Sequence, residues 1–167
     1  MSGALASTIY DEKDKIMNKL YQITTKGKKE LEAELEQLKS RRGAIADKIA
    51  EARDYGDLSE NAEYDAAREE QGLVESRIAE IEDILLNADV IKASKSSKVV
   101  LGSKVELKNG KKTIVYTVVG PVEANPIEGK ISNESPIGQA LFGQKVGEKI
   151  AVQTPKGKIS YEIVSIS

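Results

Sequence analysis

Two stretches of the chain repeat apolar residues at alternating intervals of four and three. This rhythm is typical of the buried seam of a coiled coil. Each stretch covers roughly thirty residues, so each helix is expected to be about 45 Å long at 1.5 Å per residue. The positions are Leu31, Leu35, Leu38, Ile45, Ile49 and Ala52, interrupted at Arg42, and then Tyr64, Ala67, Gln71, Val74, Ile78, Ile81, Leu85 and Ala88.

Residues 55–59 join the two stretches and are too few for anything but a tight reversal. Gly56 can adopt the positive φ that ends the first helix. Thr24 is a candidate N-cap for the first helix, and Asp57 or Ser59 for the second. Two apolar stripes joined by so short a turn fold back on each other. The pattern therefore predicts an antiparallel coiled-coil hairpin with the turn at its far end.

After the second stretch the helical period gives way to short runs that are typical of β-strands. Asn109-Gly110 is a strong hairpin signal, and residues 154–157 form a second predicted turn. The predicted strands are Lys104–Leu107, Thr113–Val119, Lys149–Val152 and Lys158–Ile166.

These patterns predict the α+β fold class, with an N-terminal antiparallel coiled-coil hairpin and a small C-terminal α+β domain. Ser135 is a candidate N-cap with Pro136 at the first helical position, and Gly143 ends the short helix that they open. The extension at the N-terminus is either disordered or a short helix, and a natural start at Met17 after an added leader is the alternative. The predicted organisation is an N-terminal extension at 1–22, the hairpin at 23–92, a linker at 93–98 and the C-terminal domain at 99–167.

The 167 residues are 40% hydrophobic and 31% charged but only 4% aromatic, which favours a long charged helical part over one large core. No apolar run approaches the roughly 18 residues that could span a membrane, and the N-terminus lacks the basic segment of a signal peptide. The net charge of −2 argues against binding of nucleic acid through bulk positive charge.

Cysteine and histidine are both absent. Disulfides, thiol catalysis, histidine-based triads and the usual zinc ligands are therefore excluded, and the lack of cysteine fits a reducing cytoplasm. Any chemistry must depend on carboxylates, Lys, Arg, Ser or Tyr. A metal bound by oxygen ligands would be Mg²⁺, Mn²⁺ or Ca²⁺.

Three carboxylates, Asp57, Glu60 and Glu63, lie at the turn of the predicted hairpin. Acidic residues in a first helical turn complement the helix dipole, and Asp57 with Glu60 can form a capping box. Residues three apart at a helix start also project to the same side, where two carboxylates can serve one cation. The pattern leaves a capping role and a chemical role both open.

The string EARDYGDLSENAEY at residues 51–64, continued by AAREEQG at 66–72, closely resembles the tip signature of the Gre transcript-cleavage factors, in particular the GreA type. The resemblance extends from about Tyr21 to the C-terminus. It includes SPIG at residues 135–138 and TPKG at 154–157, in family order. A match this long and position-specific is a far stronger signal than a lone short motif.

The resemblance implies that the C-terminal domain has an FKBP-like fold and docks at the secondary channel of bacterial RNA polymerase. The coiled coil then reaches the active centre, where the factor stimulates the polymerase's own hydrolysis of backtracked RNA. Carried over by position, Asp57 and Glu60 are the catalytic carboxylates and help to hold an Mg²⁺ ion shared with the polymerase. The protein is then an activator rather than an enzyme, and short 3′ fragments are released.

Other positions gain an expected role from the same resemblance. Arg53 and Arg68 match a basic patch that contacts the 3′ segment of the RNA, with an ordinary solvated face as the alternative. Ser135 and Pro136 match the polymerase-docking loop, whereas Tyr64 lies on the seam and is expected in the core. The residues expected to shape the tip are Tyr55, Gly56, Ser59 and Asn61.

The expected partners are bacterial RNA polymerase and the 3′ end of nascent RNA, with DNA contacted only indirectly and no membrane. The protein is expected to be a monomer. Three rival interpretations stay open: an inhibitor that enters the same channel, a coiled-coil adaptor whose acidic tip only caps a helix, and a peptidyl-prolyl isomerase or chaperone. The known inhibitors of this kind carry a denser acidic cluster at the tip.

Overall fold

The computed structural model describes residues 20–56, 61–92 and 94–167, so the expectations for residues 1–19 lie outside it. The chain divides into two compact units: residues 28–86, here called the hairpin unit, and the described residues before and after them, here called the sheet unit. None of the described helices is long and apolar enough to cross a membrane. In chain order the elements are β1 (Tyr21–Thr24), α1 (Thr25–Asp54), α2 (Ala62–Leu86), β2 (Ala88–Ile91), β3 (Lys104–Asn109), β4 (Lys112–Val119), two 3₁₀ turns (Pro121–Glu123 and Pro126–Glu128), β5 (Lys130–Ser132), α3 (Pro136–Leu141), β6 (Lys149–Thr154) and β7 (Gly157–Ile166).

The predicted seam forms the core of the hairpin unit. Near the end of α2, Ile84 is buried whereas Leu85, which the pattern predicted, is only half-buried. Positions three and four residues after Ile81 both lie on its face of the helix, so the rhythm alone does not choose between them. Ala88 lies in β2, because α2 ends at Leu86. The buried seam residues are Leu31, Ile45, Ile49 and Ala52 of α1 and Ala67, Val74, Ile78 and Ile81 of α2.

Ion pairs between α1 and α2 show that the helices run antiparallel, as predicted, since Glu34 near the start of α1 pairs with Arg77 whereas Lys48 near its end pairs with Glu70. Arg42, which interrupts the apolar rhythm, is exposed and donates two hydrogen bonds of 2.7 Å to the Glu75 carboxylate. Exposed ion pairs add little stability, so they favour one register while the seam stabilises the hairpin. Among these pairs, the N–O distance is 2.8 Å for Glu34 with Arg77, 2.7 Å for Arg41 with Glu70 and 2.9 Å for Lys48 with Glu70.

The sheet unit contains a five-stranded sheet in the order β5-β4-β3-β7-β6, with β4 and β5 parallel and the other neighbours antiparallel. Both predicted turns are confirmed: Gly110 joins β3 to β4 with a φ of +59°, and Gly157 follows the turn between β6 and β7 with a φ of +116°. Together with the helical hairpin, this confirms the predicted α+β class. The core residues are Val99, Val105, Leu107, Val118, Ile131, Leu141, Ile150, Val152 and Ile163.

Two helices begin at their predicted caps. Thr24 Oγ1 accepts a hydrogen bond from the backbone N of Gly27 (3.0 Å) at the start of α1. Ser135 Oγ accepts one from the backbone N of Gly138 (3.1 Å) at the start of α3, where Pro136 is the first helical residue. Each hydroxyl satisfies an amide that has no partner inside its helix.

A pair of parallel strands makes the compact units differ from the predicted domains. β1 and β2 pair over four residues each, so residues 21–27 and 87–92 belong to the sheet unit. The hairpin unit therefore spans 28–86 rather than the predicted 23–92. The two segments pair because pairing satisfies their backbone polar groups. The sequence does not predict the pairing, because neither segment specifies its partner by its own pattern.

Acid is expected to weaken the hairpin unit. Hydrogen bonds from Lys48 and Arg41 lower the pKa of Glu70, and the bonds from Arg42 lower the pKa of Glu75. A carboxyl whose pKa is lower in the folded state stabilises folding above its unfolded pKa, and this contribution is lost as pH falls through the folded pKa. We expect the thermal midpoint of unfolding to decrease as the pH is lowered from neutral to about pH 3, and helical circular dichroism measures it.

The double variant Glu70→Gln/Glu75→Gln should respond less to acid over the same range, because two of the ionised partners are gone. Glu69→Gln, which changes an exposed neighbour on α2, is the control and should keep the wild-type pH response. Identical pH profiles for the double variant and the control would show that these ion pairs do not contribute.

Replacement of Gly138 by Ala is expected to destabilise the sheet unit, because the added Cβ would overlap the backbone carbonyl oxygen of Ser132. Overpacking of this kind costs about 1–3 kcal/mol. Gly72→Ala is the matched helical control, since a Cβ there would meet nothing within 4 Å, and it should be neutral or stabilising. Urea unfolding measures both free energies, and a Gly138→Ala variant as stable as the wild type would contradict the predicted overlap.

Candidate functional site at the hairpin tip

Asp57, Ser59 and Glu60, three of the residues singled out at the tip, lie outside the described residues. The structure describes the chain on both sides of them. On one side α1 ends at Asp54, and on the other α2 begins at Ala62. The structure therefore describes the candidate site through the two helix ends that flank it.

The end of α1 follows the prediction for Gly56. Its φ is +128°, and an added Cβ would meet nothing within 4 Å, so glycine is needed for the backbone conformation and not for space. Tyr55 before it is 72% exposed, so its ring lies mostly in solvent. Tyr64 by contrast is half-buried and packs against the hairpin core, as predicted.

Asn61 links the two helices across the turn. Its Nδ2 donates a hydrogen bond to the carbonyl oxygen of Ala52 (2.6 Å), and its Oδ1 accepts one from the backbone N of Tyr64 (3.2 Å). One side chain thus satisfies a free carbonyl of α1 and a free amide of α2. The prediction that Asp57 or Ser59 caps the second helix is wrong, because α2 begins directly after Asn61.

The sequence contains a local signal for this cap. Asn is as good an N-cap as Asp or Ser, and Asn61 stands immediately before the residues of α2. The bond to Ala52 has no such signal, because it depends on how closely the two helix ends approach.

Arg53 and Arg68 project from one face of the hairpin. Each directly follows a buried seam residue, Ala52 on α1 and Ala67 on α2. In an antiparallel pair of right-handed helices, positions one residue after the seam lie on the same side. Both arginines are exposed, and Arg68 Nη1 donates a hydrogen bond to Gln71 Oε1 (2.6 Å).

The opposite face of the hairpin carries a groove of about 310 Å³ that is rich in carboxylates. Each charged residue that lines the groove lies one or four positions before a seam residue, or three positions after one. On a right-handed helix these positions lie on one side of the seam, and the position one residue after the seam, which the arginines occupy, lies on the other. The two faces therefore differ in charge. The groove is lined by Lys48, Glu51, Ala52, Glu63, Ala66, Ala67 and Glu70.

The predicted docking residues lie in the sheet unit, at the start of α3. The Ser135 hydroxyl donates to the carbonyl oxygen of Ser132 (2.6 Å) and accepts from the amide of Gly138 (3.1 Å), so it is engaged within the turn. Pro136 is exposed beside it. The preceding residue, Glu134, lines a cavity of about 340 Å³ together with Leu20, Tyr21, Gln22, Asp89, Pro121 and Val122.

Comparison with known proteins covers nearly all of the described chain. The family Transcription elongation factor, N-terminal, matches residues 21–90, and Transcription elongation factor, GreA/GreB, C-term, matches 94–167. Transcription elongation factor GreA of Bacillus cereus is 50% identical over 154 residues, which cover 89% of this chain and 97% of that protein. The GreA of Bacillus velezensis is 49% identical, with coverage of 89% and 98%. Among solved structures, GreA factor homolog 1 of Thermus thermophilus aligns with a TM-score of 0.43 and 32% identity over 89% of this chain and 99% of that one.

The helical hairpin, the tip string and the sequence matches all indicate one class of protein, the transcription elongation factors. The chain belongs to the GreA/GreB family of these factors. This confirms the resemblance to the GreA type that the tip string indicated. A factor of this family implies RNA polymerase as its partner.

Replacement of Asn61 is expected to destabilise the hairpin unit in two separable steps. Asn61→Ala removes both the cap of α2 and the bond to Ala52, and we expect a loss of about 1–3 kcal/mol. Asn61→Asp keeps an acceptor for the Tyr64 amide but cannot donate to Ala52, so its loss should be smaller. Thermal unfolding followed by helical circular dichroism measures both, with Ser76→Ala at an exposed position of α2 as a neutral control. The assignment fails if Asn61→Ala unfolds like that control.

Proposed function

We propose that this protein enters the secondary channel of bacterial RNA polymerase and stimulates the polymerase's own Mg²⁺-dependent hydrolysis of backtracked RNA. The reaction releases short 3′ fragments and rescues arrested complexes. The observation that carries the proposal is the family match of both halves of the chain together with an intact tip string at residues 51–64. The tip string supports the chemical role of the carboxylates, and the family match supports RNA polymerase as the partner.

Asp57 and Glu60 supply the carboxylates. Hydrolysis of a phosphodiester by two metal ions uses one ion to activate water and the other to stabilise the leaving oxygen. Mg²⁺ accepts one or two carboxylates and keeps several waters, so these two side chains match in type and number what a weakly held second ion lacks. Their role is supported by the sequence string, because neither residue is among the described ones.

The bond from Asn61 to Ala52 supports the same role from the structure. It ties together the two chain segments that flank residues 57–60, and the same side chain begins α2. A segment whose ends are tied loses less conformational freedom when its carboxylates bind at the reacting phosphate. The hydrogen bonds of Asn61, which stabilise the helix ends, therefore also favour the proposed chemistry.

The protein acts as an activator and not as a nuclease by itself. Two carboxylates alone make a weak Mg²⁺ site, since this ion prefers six oxygen ligands in regular geometry. The polymerase supplies the remaining ligands, and the ion is shared between the two proteins. The functional enzyme is the assembly.

Arg53 and Arg68 contact phosphates of the RNA 3′ segment. Both are exposed on one face near the tip, and contacts between arginine and phosphate position a nucleic acid without reading its sequence. Ser135 and Pro136 belong to the surface that docks on the polymerase, where Pro136 offers the exposed side chain. The protein works as a monomer in the cytoplasm, and it contacts DNA only indirectly.

A stalled, backtracked elongation complex with labelled RNA tests the proposal. In the presence of Mg²⁺ the wild type should release short 3′ fragments rapidly. Asp57→Asn/Glu60→Gln preserves side-chain size but removes both negative charges, and we expect cleavage to slow by about a hundredfold or more. Gel analysis of the labelled RNA measures both rates.

Glu36→Gln/Asp47→Asn is the matched control, because it removes the same charge from exposed positions of α1 away from the tip. It should cleave like the wild type. Wild-type cleavage by the tip variant would show that neither acid takes part in the chemistry. Binding to polymerase without any cleavage would indicate an inhibitor, and a lack of binding would overturn the proposed partner.

A further inference from the structure

A glutamate of the sheet unit holds the first turn of α1. Glu123 Oε2 accepts a hydrogen bond from the backbone N of Thr24 (2.8 Å), and Oε1 accepts one from Thr24 Oγ1 (2.6 Å). The same hydroxyl accepts the amide of Gly27 as the N-cap of the helix (3.0 Å). Thr24 is buried and Glu123 half-buried. Thr24, Gly27 and Glu123 are here called the Glu123 clamp.

Two glycines allow the clamp to close. A Cβ at Gly27 would overlap the carboxylate of Glu123, and a Cβ at Gly120 would overlap the carbonyl oxygen of Gln22. Gly120 immediately precedes the 3₁₀ turn Pro121–Glu123, and its carbonyl accepts a hydrogen bond from the Glu123 amide (3.1 Å). The 3₁₀ turn therefore approaches both β1 and the start of α1 more closely than side chains would permit.

The clamp lies beside the predicted docking loop within the sheet unit. Glu134, directly before Ser135, lines the same cavity as Pro121 and Val122 of the 3₁₀ turn and Tyr21 of β1. The docking loop, the 3₁₀ turn and the strand that leads into α1 are thus neighbours. A residue that fixes the 3₁₀ turn to α1 connects the docking surface to the start of that helix.

The length of α1 gives its first turn leverage over its last. The helix has 30 residues and ends at Asp54, within the tip string. At 1.5 Å per residue it is about 45 Å long, so a rotation of about 3° at one end moves the other by about 2 Å. A misplacement of about 1 Å can slow catalysis by about a hundredfold.

We propose that Glu123 is a positioning residue for transcript cleavage, because its carboxylate fixes the first turn of the helix that leads to the tip. This rests on the proposed function. A carboxylate suits the position, since both of its oxygens accept hydrogen bonds and its charge is favoured at a helix N-terminus. Glutamine would not fully replace it, because it offers only one acceptor oxygen and removes the negative charge from the helix N-terminus.

Gly27→Ala separates a positioning role from a role in stability alone. Ala favours a helix over Gly by an amount that offsets the loss of a capping contact of similar size, so a role in stability alone predicts little loss of cleavage. The added Cβ would nevertheless displace the Glu123 carboxylate from Thr24. Gly43→Ala is the matched control on the same helix, because a Cβ there would meet nothing within 4 Å. Glu123→Gln is the second test variant.

The experiment measures cleavage of backtracked RNA over a range of factor concentrations. We expect Gly27→Ala and Glu123→Gln to lower the rate at saturating factor by roughly tenfold to a hundredfold, with an unchanged half-saturating concentration because the docking loop is intact. Gly43→Ala should match the wild type. In the free protein, hydrogen exchange at the Thr24 amide should be about fivefold faster in Glu123→Gln, because a neutral amide oxygen accepts this hydrogen bond more weakly than a carboxylate does.

Wild-type cleavage by both variants, despite faster exchange at Thr24, would overturn the positioning role and leave the proposed function standing. A raised half-saturating concentration with full activity at saturation would also overturn it, because Glu123 would then act in docking. If the wild type itself releases no fragments, the proposed function fails and the positioning role fails with it.

Discussion

The apolar seam between α1 and α2 is the contact on which the rest of the hairpin unit depends. Ile45, Ile49, Ala67, Val74 and Ile78 are buried against one another, and burial of this kind stabilises more than exposed ion pairs do. The ion pairs on both faces agree with a single antiparallel register. That register decides which side chains share a face, and it places two arginines on one side and a carboxylate-lined groove on the other.

At the tip, stability and the proposed chemistry depend on the same side chain. Asn61 caps α2 and holds the end of α1 through Ala52, so the segment that carries Asp57 and Glu60 is tied at both ends. Under the proposed function, this tie helps the pair of helices to present two carboxylates to the active centre of the polymerase.

In the sheet unit, hydrogen bonds between distant segments bring the start of the long helix into the α+β fold. β1 pairs with β2, and Thr24 is held by Glu123, 99 residues further along the chain. The helix therefore begins inside one compact unit and continues through the other. The proposed function assigns docking and cleavage to different parts of the chain, and α1 belongs to both parts.

The sequence by itself determined the two helices, the turn at Gly56, both strand turns and the caps at Thr24 and Ser135, because each depends on residues within a few positions. It indicated Asp57 and Glu60 as candidate catalytic carboxylates only through resemblance to a family, since a capping box has the same pattern. Only the tertiary structure decided the pairing of β1 with β2, the bond from Asn61 to Ala52 and the hold of Glu123 on Thr24. Each of these contacts joins two segments, and nothing in the local sequence of one segment indicates the other. The geometry of the contacts therefore depends on how the whole chain packs.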